Sequence, residues 1–381
     1  MRTVETTVLA DFVREARATT GSLLAVGDVG ASTVRFALVT GVEHGQTVQF
    51  LKFSNIRSVP NLHKVLEVIA TALGDTVTRR ITAGAIAVPG PVQDGERAVI
   101  ANYKAETTEG RTIDARKLPS GLFPRAKTVV LNDVEAAGYG VIGLDTVGDL
   151  NIFRILWESG RAPRHDNAPL KALPKGNILV VAPGTGLGSC LIQYHPRAVG
   201  GGQAGTYSVL PLEFGHTNAP QHEETAFLDS YSQELGYAAE FDDVCTGRGL
   251  EFAYRFHSNG KRLTAPEISQ LAKDGDDTAS LAMRTYHQFI MSFCSQLTMG
   301  LLLSAIIICG DNVVSNGYYF ERPANVDALR DQLLSHSMER MGFMSRPDVC
   351  LATQHINLNL IGCIYAAAAT VKTPAKIQSK L

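Results

Sequence analysis

The chain has no block of like charge: 35 Lys and Arg are dispersed among 37 Asp and Glu, leaving a formal charge of −2. With neither a basic stripe nor an acidic tail it has no electrostatic footprint for nucleic-acid phosphates or an anionic membrane, and neither is expected as a partner. Long apolar runs are missing too. The most apolar stretch, 299–309, is broken by Gly300 and Ser304 and falls short of the ~20 residues a spanning helix needs, so it reads as core. The six cysteines, Cys190, Cys245, Cys294, Cys309, Cys350 and Cys363, form no C-x-x-C pair and mostly sit in apolar segments, which predicts reduced, buried thiols. No secretory signal opens the chain, and the helical spacing of Val8, Leu9, Phe12, Val13 and Ala16 beside Glu5, Asp11 and Glu15 argues against a transit peptide. There is no G-x-x-x-x-G-K-[ST] run, which removes the P-loop kinases, and no DNA-binding helix-turn-helix.

What is present suits a mixed α/β protein. At 381 residues and 45% hydrophobic, the chain is long enough for two domains. Residues 23–28, 33–39 and 49–53 read as strands joined by turns, 61–73 as a helix, 84–88 and 127–131 as strands, and 134–139 as a helix. Segments 158–176 and 196–206 concentrate Gly, Pro and polar residues and are expected as loops. Beyond them, 177–182 and 305–309 predict strands around a long buried helix over 277–303.

One internal similarity organises the rest. The run 24–33 (LAVGDVGAST) and its following strand recur in outline as 179–188 (LVVAPGTGLG) and 189–193. Each unit is strand, Gly-rich turn, strand, which suggests a duplicated domain with a nucleotide clamped between the copies. Glycine turns with hydroxyl neighbours expose backbone N–H and O–H donors to phosphate oxygens. Gly30, Ala31, Ser32 and Thr33 are candidates in the first turn, and Gly184, Thr185, Gly186 and Gly188 in the second. Asp28, ending the first strand, is placed to orient Mg²⁺ through a water, because hard cations favour carboxylate and water oxygens. For either turn alone an ordinary β-hairpin is an equal reading. The second turn lacks the G-x-G-x-x-G spacing and is followed by a strand, which disfavours a dinucleotide site.

Transfer of a phosphoryl group to an alcohol also needs a group that accepts the hydroxyl proton. Asp133, after the strand 128–131 and beside Asn132, is the candidate base, while the competing reading is that Asn132 or Asp133 caps the following helix. Glu213 and His216 offer an acceptor and a donor suited to sugar hydroxyls, or simply a polar turn; with one histidine they make a poor zinc site.

Together these motifs resemble the bacterial-type glucokinases over residues 23–368. Gly27-Asp28-Val29-Gly30 with Arg35 is similar to the family's first phosphate motif, Leu131-Asn132-Asp133 to its sugar and base segment, and Gly184-Thr185-Gly186-Leu187-Gly188 to its second phosphate motif. The chain finishes Ser379-Lys380-Leu381, the tripeptide read by the peroxisomal import receptor, and so most resembles the glycosomal glucokinases of trypanosomatids. The resemblance implies an actin-like ATPase (ribonuclease H-like) superfold. Its two α/β domains would span 1–143 plus 356–374 and 144–355, around a cleft that closes on sugar, with a targeting tail at 375–381. It also implies ATP and Mg²⁺, glucose as acceptor, a homodimer, and a peroxisome-like organelle. Asp133 would be the base, with Asn132, Glu213, His216 and Asp242 as hydroxyl ligands, Thr246 and Gly247 beside the nucleotide, and Gly310 in the adenosine loop. Where bacterial members carry a second sugar-binding Glu, the register gives Asp242, with Glu240 two residues away; where they carry Gly-Gly-Thr, this chain has Gly30-Ala31-Ser32. The rival readings are a kinase for another hexose, such as glucosamine or mannose, and a non-catalytic sugar or nucleotide sensor on the same fold.

Overall fold

The computed structural model describes residues 2–6, 8–30, 33–40, 47–100, 103–158, 168–196, 205–219, 225–336 and 346–372. Ala31, Ser32 and the Ser379-Lys380-Leu381 tripeptide lie outside them, as do 159–167 and 197–204 within the two expected loops. The chain packs as two compact units, Met1–Asp149 with Ile356–Leu381, and Leu150–His355.

The first unit is built on strands β1 (Arg2–Thr6), β2 (Leu23–Val29), β3 (Thr33–Val39), β4 (Thr47–Ser54) and β5 (Ile81–Val88), with a small antiparallel sheet of β6 (Val92–Gln93), β7 (Arg97–Val99) and β8 (Thr112–Asp114), and then β9 (Thr128–Asn132). The main sheet runs β1-β4-β3-β2-β5-β9, with β2, β3 and β4 antiparallel and β2, β5 and β9 parallel. All seven residues of β2 are buried, which explains its near-continuous apolar run: a central strand covered on both faces has no polar side. Asp28 is the exception within it.

The last described helix, Leu358–Lys372, returns to this unit and packs against the helix Asp133–Thr146. Their approach is close enough that backbone meets backbone. A Cβ on Gly362 would stand 1.7 Å from Ala136 O, and one on Gly140 2.3 Å from Leu358 O, so only glycine fits at either position.

The second unit repeats the plan. Its strands are β10 (Phe153–Trp157), β11 (Asn177–Pro183), β12 (Leu187–His195), β13 (Thr206–Leu212), β14 (Leu303–Ile308) and β15 (Asp348–Ala352), in the order β10-β15-β14-β11-β12-β13. Strands β11, β12 and β13 form an antiparallel meander, and β14 and β15 add in parallel beside β11, as β5 and β9 add beside β2. The long helix Asp277–Leu301 rises about 37 Å along this unit and stops at Leu302, a leucine in the left-handed region at φ 51°. Phe289 of this helix packs on Phe227, beside Tyr231 and Phe252, which stack at 4.0 Å.

Candidate active site

Parallel strands deliver their C-terminal ends to one edge of a sheet, and the candidate residues of each unit collect there. In the first unit Asp28 pairs with Ala87 of β5, and Val88 with Asn132 of β9. The metal-orienting candidate and the candidate base segment are therefore two strands apart on one edge, about 10 Å at ordinary strand spacing.

Asp28 is 4% exposed and thoroughly engaged. Its Oδ2 accepts from Arg35 Nη1 at 2.9 Å and from Asn357 Nδ2 at 2.9 Å, and its Oδ1 from Asn359 Nδ2 at 3.2 Å. Arg35 stands directly opposite on the antiparallel partner strand, so the pair is a product of hairpin register. Asn357 and Asn359 come from the start of the last helix. A carboxylate has about four lone-pair sites and three are taken here, leaving one on Oδ1. That fits contact to a cation through a water. In the turn itself Gly30 N–H donates to Thr33 O at 2.7 Å, which closes the β2–β3 hairpin.

Asn132 caps the helix Asp133–Thr146. Its Oδ1 accepts from the N–H of Val134 at 2.9 Å and of Glu135 at 3.2 Å, and Glu135 Oε2 accepts in return from Asn132 N–H at 3.2 Å. Asn132 Nδ2 donates to Gly90 O at 3.1 Å. The capping reading thus holds for Asn132, and one Nδ2 hydrogen remains for a hydroxyl. Asp133 follows as the first helical residue, half-buried, with Oδ1 accepting from Val134 N–H at 2.9 Å. Burial lifts the Glu135 carboxyl above the usual range, opposed by its bond to Asn132 N–H.

In the second unit the β11–β12 turn is closed by Gly184 N–H to Gly186 O at 2.9 Å. Thr185 and Gly186 are exposed at its tip. Gly247 N–H reaches Gly184 O at 3.4 Å, and Cys309 N–H reaches Val181 O at 2.9 Å, so the Thr246-Gly247 and Gly310 segments both lie against this turn. Thr246 is fully buried at the start of the helix Gly247–His257, and Gly310 adopts φ 108°, a conformation that favours glycine.

Glu213 and His216 flank a short 3₁₀ turn after β13, both exposed. His216 Nδ1 lies 2.8 Å from Glu240 Oε2, and this bond, with the nearby charges of Asp242 and Glu213, raises the histidine pKa above its ordinary value. Asp242, expected among the sugar ligands, lies close enough to His216 to raise its pKa; its Oδ1 accepts from Leu187 N–H in the phosphate turn at 2.6 Å and its Oδ2 from Arg248 Nη2 at 3.2 Å. Glu240 stands ahead of the first residue of the helical turn Phe241–Val244, and Asp242 within it. Glu240 bonds His216 directly, and the charge of Asp242 acts on the same histidine. Leu187 N–H is occupied, so the donors this turn can offer phosphate are the N–H groups of Thr185 and Gly186 and the Thr185 hydroxyl.

Sequence reasoning missed Asn357 and Asn359. An Asn-x-Asn before an apolar helix signals only a cap, and Asn357 does accept from Leu360 N–H at 2.8 Å, but nothing local points to Asp28.

Known proteins resemble the chain along most of its length. Glucokinase 1 of Trichomonas vaginalis is 28% identical over 369 residues, spanning 91% of this chain and 93% of that protein. The crystal structure of Leishmania braziliensis glucokinase, 28% identical, superposes with a TM-score of 0.81 over 96% of this chain and 99% of that one. Balamuthia mandrillaris glucokinase in complex with glucose, 27% identical, gives 0.77 over 94% and 97%. A ROK family glucokinase from Streptomyces griseus, in complex with glucose and AMPPNP, shares the fold at 17% identity with a TM-score of 0.55. The architecture is that of the actin-like ATPases. The family model for glucokinase matches residues 25–333, most of the sequence and all of the segments just described except Asn357 and Asn359; the chain belongs to the glucokinase family.

Proposed function

We propose that this protein transfers the γ-phosphate of ATP to the 6-hydroxyl of glucose. The observation that carries the reading is the presentation of Asp133: a capping box fixes the Asn132–Glu135 turn at the end of β9, and the half-buried carboxylate stands on the sheet edge that also carries Asp28. In the transfer the sugar O6 bonds to the γ-phosphorus as the bond from phosphorus to the β,γ-bridging oxygen breaks. The hydroxyl proton passes to the Asp133 carboxylate, and ADP leaves. Asn132, Glu213, His216 and the carboxylates of Asp242 and Glu240 supply donors and acceptors for the other hydroxyls, and Thr185 and Gly186 supply donors to phosphate oxygens. Mg²⁺ bound with the nucleotide would neutralise phosphate charge, and Asp28 would hold it through a water.

Asp133→Asn tests the reading. Turnover to glucose 6-phosphate is expected to fall at least ~100-fold, the scale of a lost general base, while calorimetric glucose binding persists. Unchanged turnover would remove Asp133 from the mechanism, and a hexose panel that favours mannose or glucosamine would reassign the acceptor. Two further parts of the proposal rest on the family resemblance and on the C-terminal tripeptide. A homodimer is checked by light scattering, and import into a peroxisome-like organelle by a fluorescent fusion with and without Ser379-Lys380-Leu381.

A further inference from the structure

The helix Asp277–Leu301, the turn Gly317–Glu321 and the start of the helix Pro323–Leu333 enclose a cavity of about 400 Å³, and none of the residues lining it belongs to the site described above. That volume is within the usual range of a small-molecule site, roughly 300–1,000 Å³. Two arginines line it: Arg284 on the long helix, and Arg322 just ahead of Pro323. Both are exposed, and neither guanidinium makes a hydrogen bond or an ion pair with another described residue. Tyr319 lines the same cavity. Burial pushes its phenol up to about 12, and both guanidiniums lie near enough to pull in the opposite direction. The residue is 5% exposed, its ring lies flat on His287 at 4.1 Å, and its hydroxyl bonds to no other described residue. Tyr318, by contrast, spends its hydroxyl on Ser269 O at 2.8 Å.

Two unpaired guanidiniums that act on one firmly held phenol repel each other, and an anion between them turns that repulsion into attraction. Planar forks of N–H donors match phosphate oxygens, and the hydroxyl adds a further donor at a fixed point. Asp277, also on the cavity wall, stands seven residues before Arg284 on the same helix, about 10 Å along its axis. A carboxylate there repels a second phosphate and accepts from hydroxyls. Asn325 gives one Nδ2 hydrogen to Tyr319 O at 2.9 Å and keeps the other, with Oδ1, for a ligand. We propose that this cavity is a second ligand site, which binds a phosphate monoester with a hydroxyl-bearing body. The phosphate sits on Arg284, Arg322 and the Tyr319 hydroxyl, and the body extends toward Asp277 and Asn325. A hexose 6-phosphate and a nucleoside monophosphate both have this chemistry. The site does not depend on the proposed transfer reaction, because the two share no residue.

The test is calorimetric titration of the full chain with glucose 6-phosphate, AMP and inorganic phosphate, each with glucose and AMPPNP present at saturation to fill the proposed active site. One of the two esters is expected to bind at least ~3-fold more tightly than inorganic phosphate, the worth of about one added hydrogen bond, and the preferred ester tells a sugar phosphate from a nucleotide. Arg284→Ala and Arg322→Ala should each weaken that ester at least ~10-fold, the scale of a lost charge-assisted hydrogen bond. Tyr319→Phe keeps the ring on His287 and removes only the hydroxyl, for an expected loss of ~3-fold. Both arginines are exposed, so their variants should melt with the wild type. No binding of any probe at millimolar concentration overturns the inference, as do affinities that neither arginine substitution changes. Heat that appears only when glucose and AMPPNP are left out would place the ester in the active site and also overturns it. Inorganic phosphate bound as tightly as both esters overturns the ligand class. Protein that takes up neither glucose nor AMPPNP, yet binds an ester through Arg284 and Arg322, overturns the proposed function and supports this site.

Discussion

The two glycine turns share a plan and differ in what braces them. In the first, the bracing carboxylate belongs to the strand itself: Asp28 sits on β2 and meets Arg35 across the hairpin. In the second, it comes from Asp242, on a separate segment that also carries Glu240. A brace inside the hairpin makes a fixed anchor, because register sets the contact wherever the strands pair. A brace from another segment depends instead on how that segment packs. The two turns thus share one geometry, and the source of the carboxylate separates a half braced from within from a half braced from outside.

The comparison is tested most severely through glycines that allow backbone contact. Gly362→Ala in the first unit should cost about 3 kcal/mol or more, because a Cβ 1.7 Å from Ala136 O forces two helices apart and no flexible side chain can yield. Chemical denaturation measures it, and a loss below 1 kcal/mol, on the order of an ordinary surface change, would show that the first unit is softer than its packing implies. Next in size is Asp28→Ala, which strands Arg35 and two asparagine amides; a loss of about 2 kcal/mol is expected by the same measurement. Asp28→Asn should cost less stability and still weaken binding of nucleotide with Mg²⁺.

A smaller effect tests the second unit by pH. Glu240 raises the His216 pKa above the ordinary histidine value of 6.5, chiefly through their hydrogen bond. A raised histidine pKa contributes stability fully below 6.5, and that contribution disappears as pH rises through the folded-state value. Glu240→Gln is therefore expected to move the His216 titration down toward 6.5 by NMR and to flatten the dependence of stability on pH in that window. A titration that stays in place would mean that His216 and Glu240 are not bonded in solution. The smallest change expected is a gain. Leu302→Gly relieves a left-handed leucine that is 67% exposed and should stabilise the second unit by up to ~1 kcal/mol, read as a raised melting temperature.

What the sequence made legible follows the range of the interactions involved. Strands β2, β3, β5, β9 and β11 were readable because their apolar runs are continuous and bounded by turn residues, and both hairpin turns because glycine marks them locally. The cap at Asn132 was readable for the same reason, since a capping box is complete within four residues. Strands β1, β10 and β15 went unread; short edge or internal strands carry too few residues to show a period. Asn357 and Asn359 reach Asp28 across more than three hundred positions, and no local pattern encodes that contact. Asp242 was placed by alignment of a motif, whereas its partner was set by which side of a four-residue helical turn it occupies.

The thiols give the fold a further use. All six cysteines are buried, burial pushes the Cys294, Cys309 and Cys350 thiols up to about 12, and Cys363 spends its proton on Gly27 O beside the first turn. The thiolate is the nucleophile that attacks an alkylating reagent, so the native protein presents such a reagent with almost nothing to react with. Each modification event then counts an opening of the core. Because Cys363 belongs to the first unit and the other five to the second, mapping the labelled positions would time the two halves separately in a single experiment.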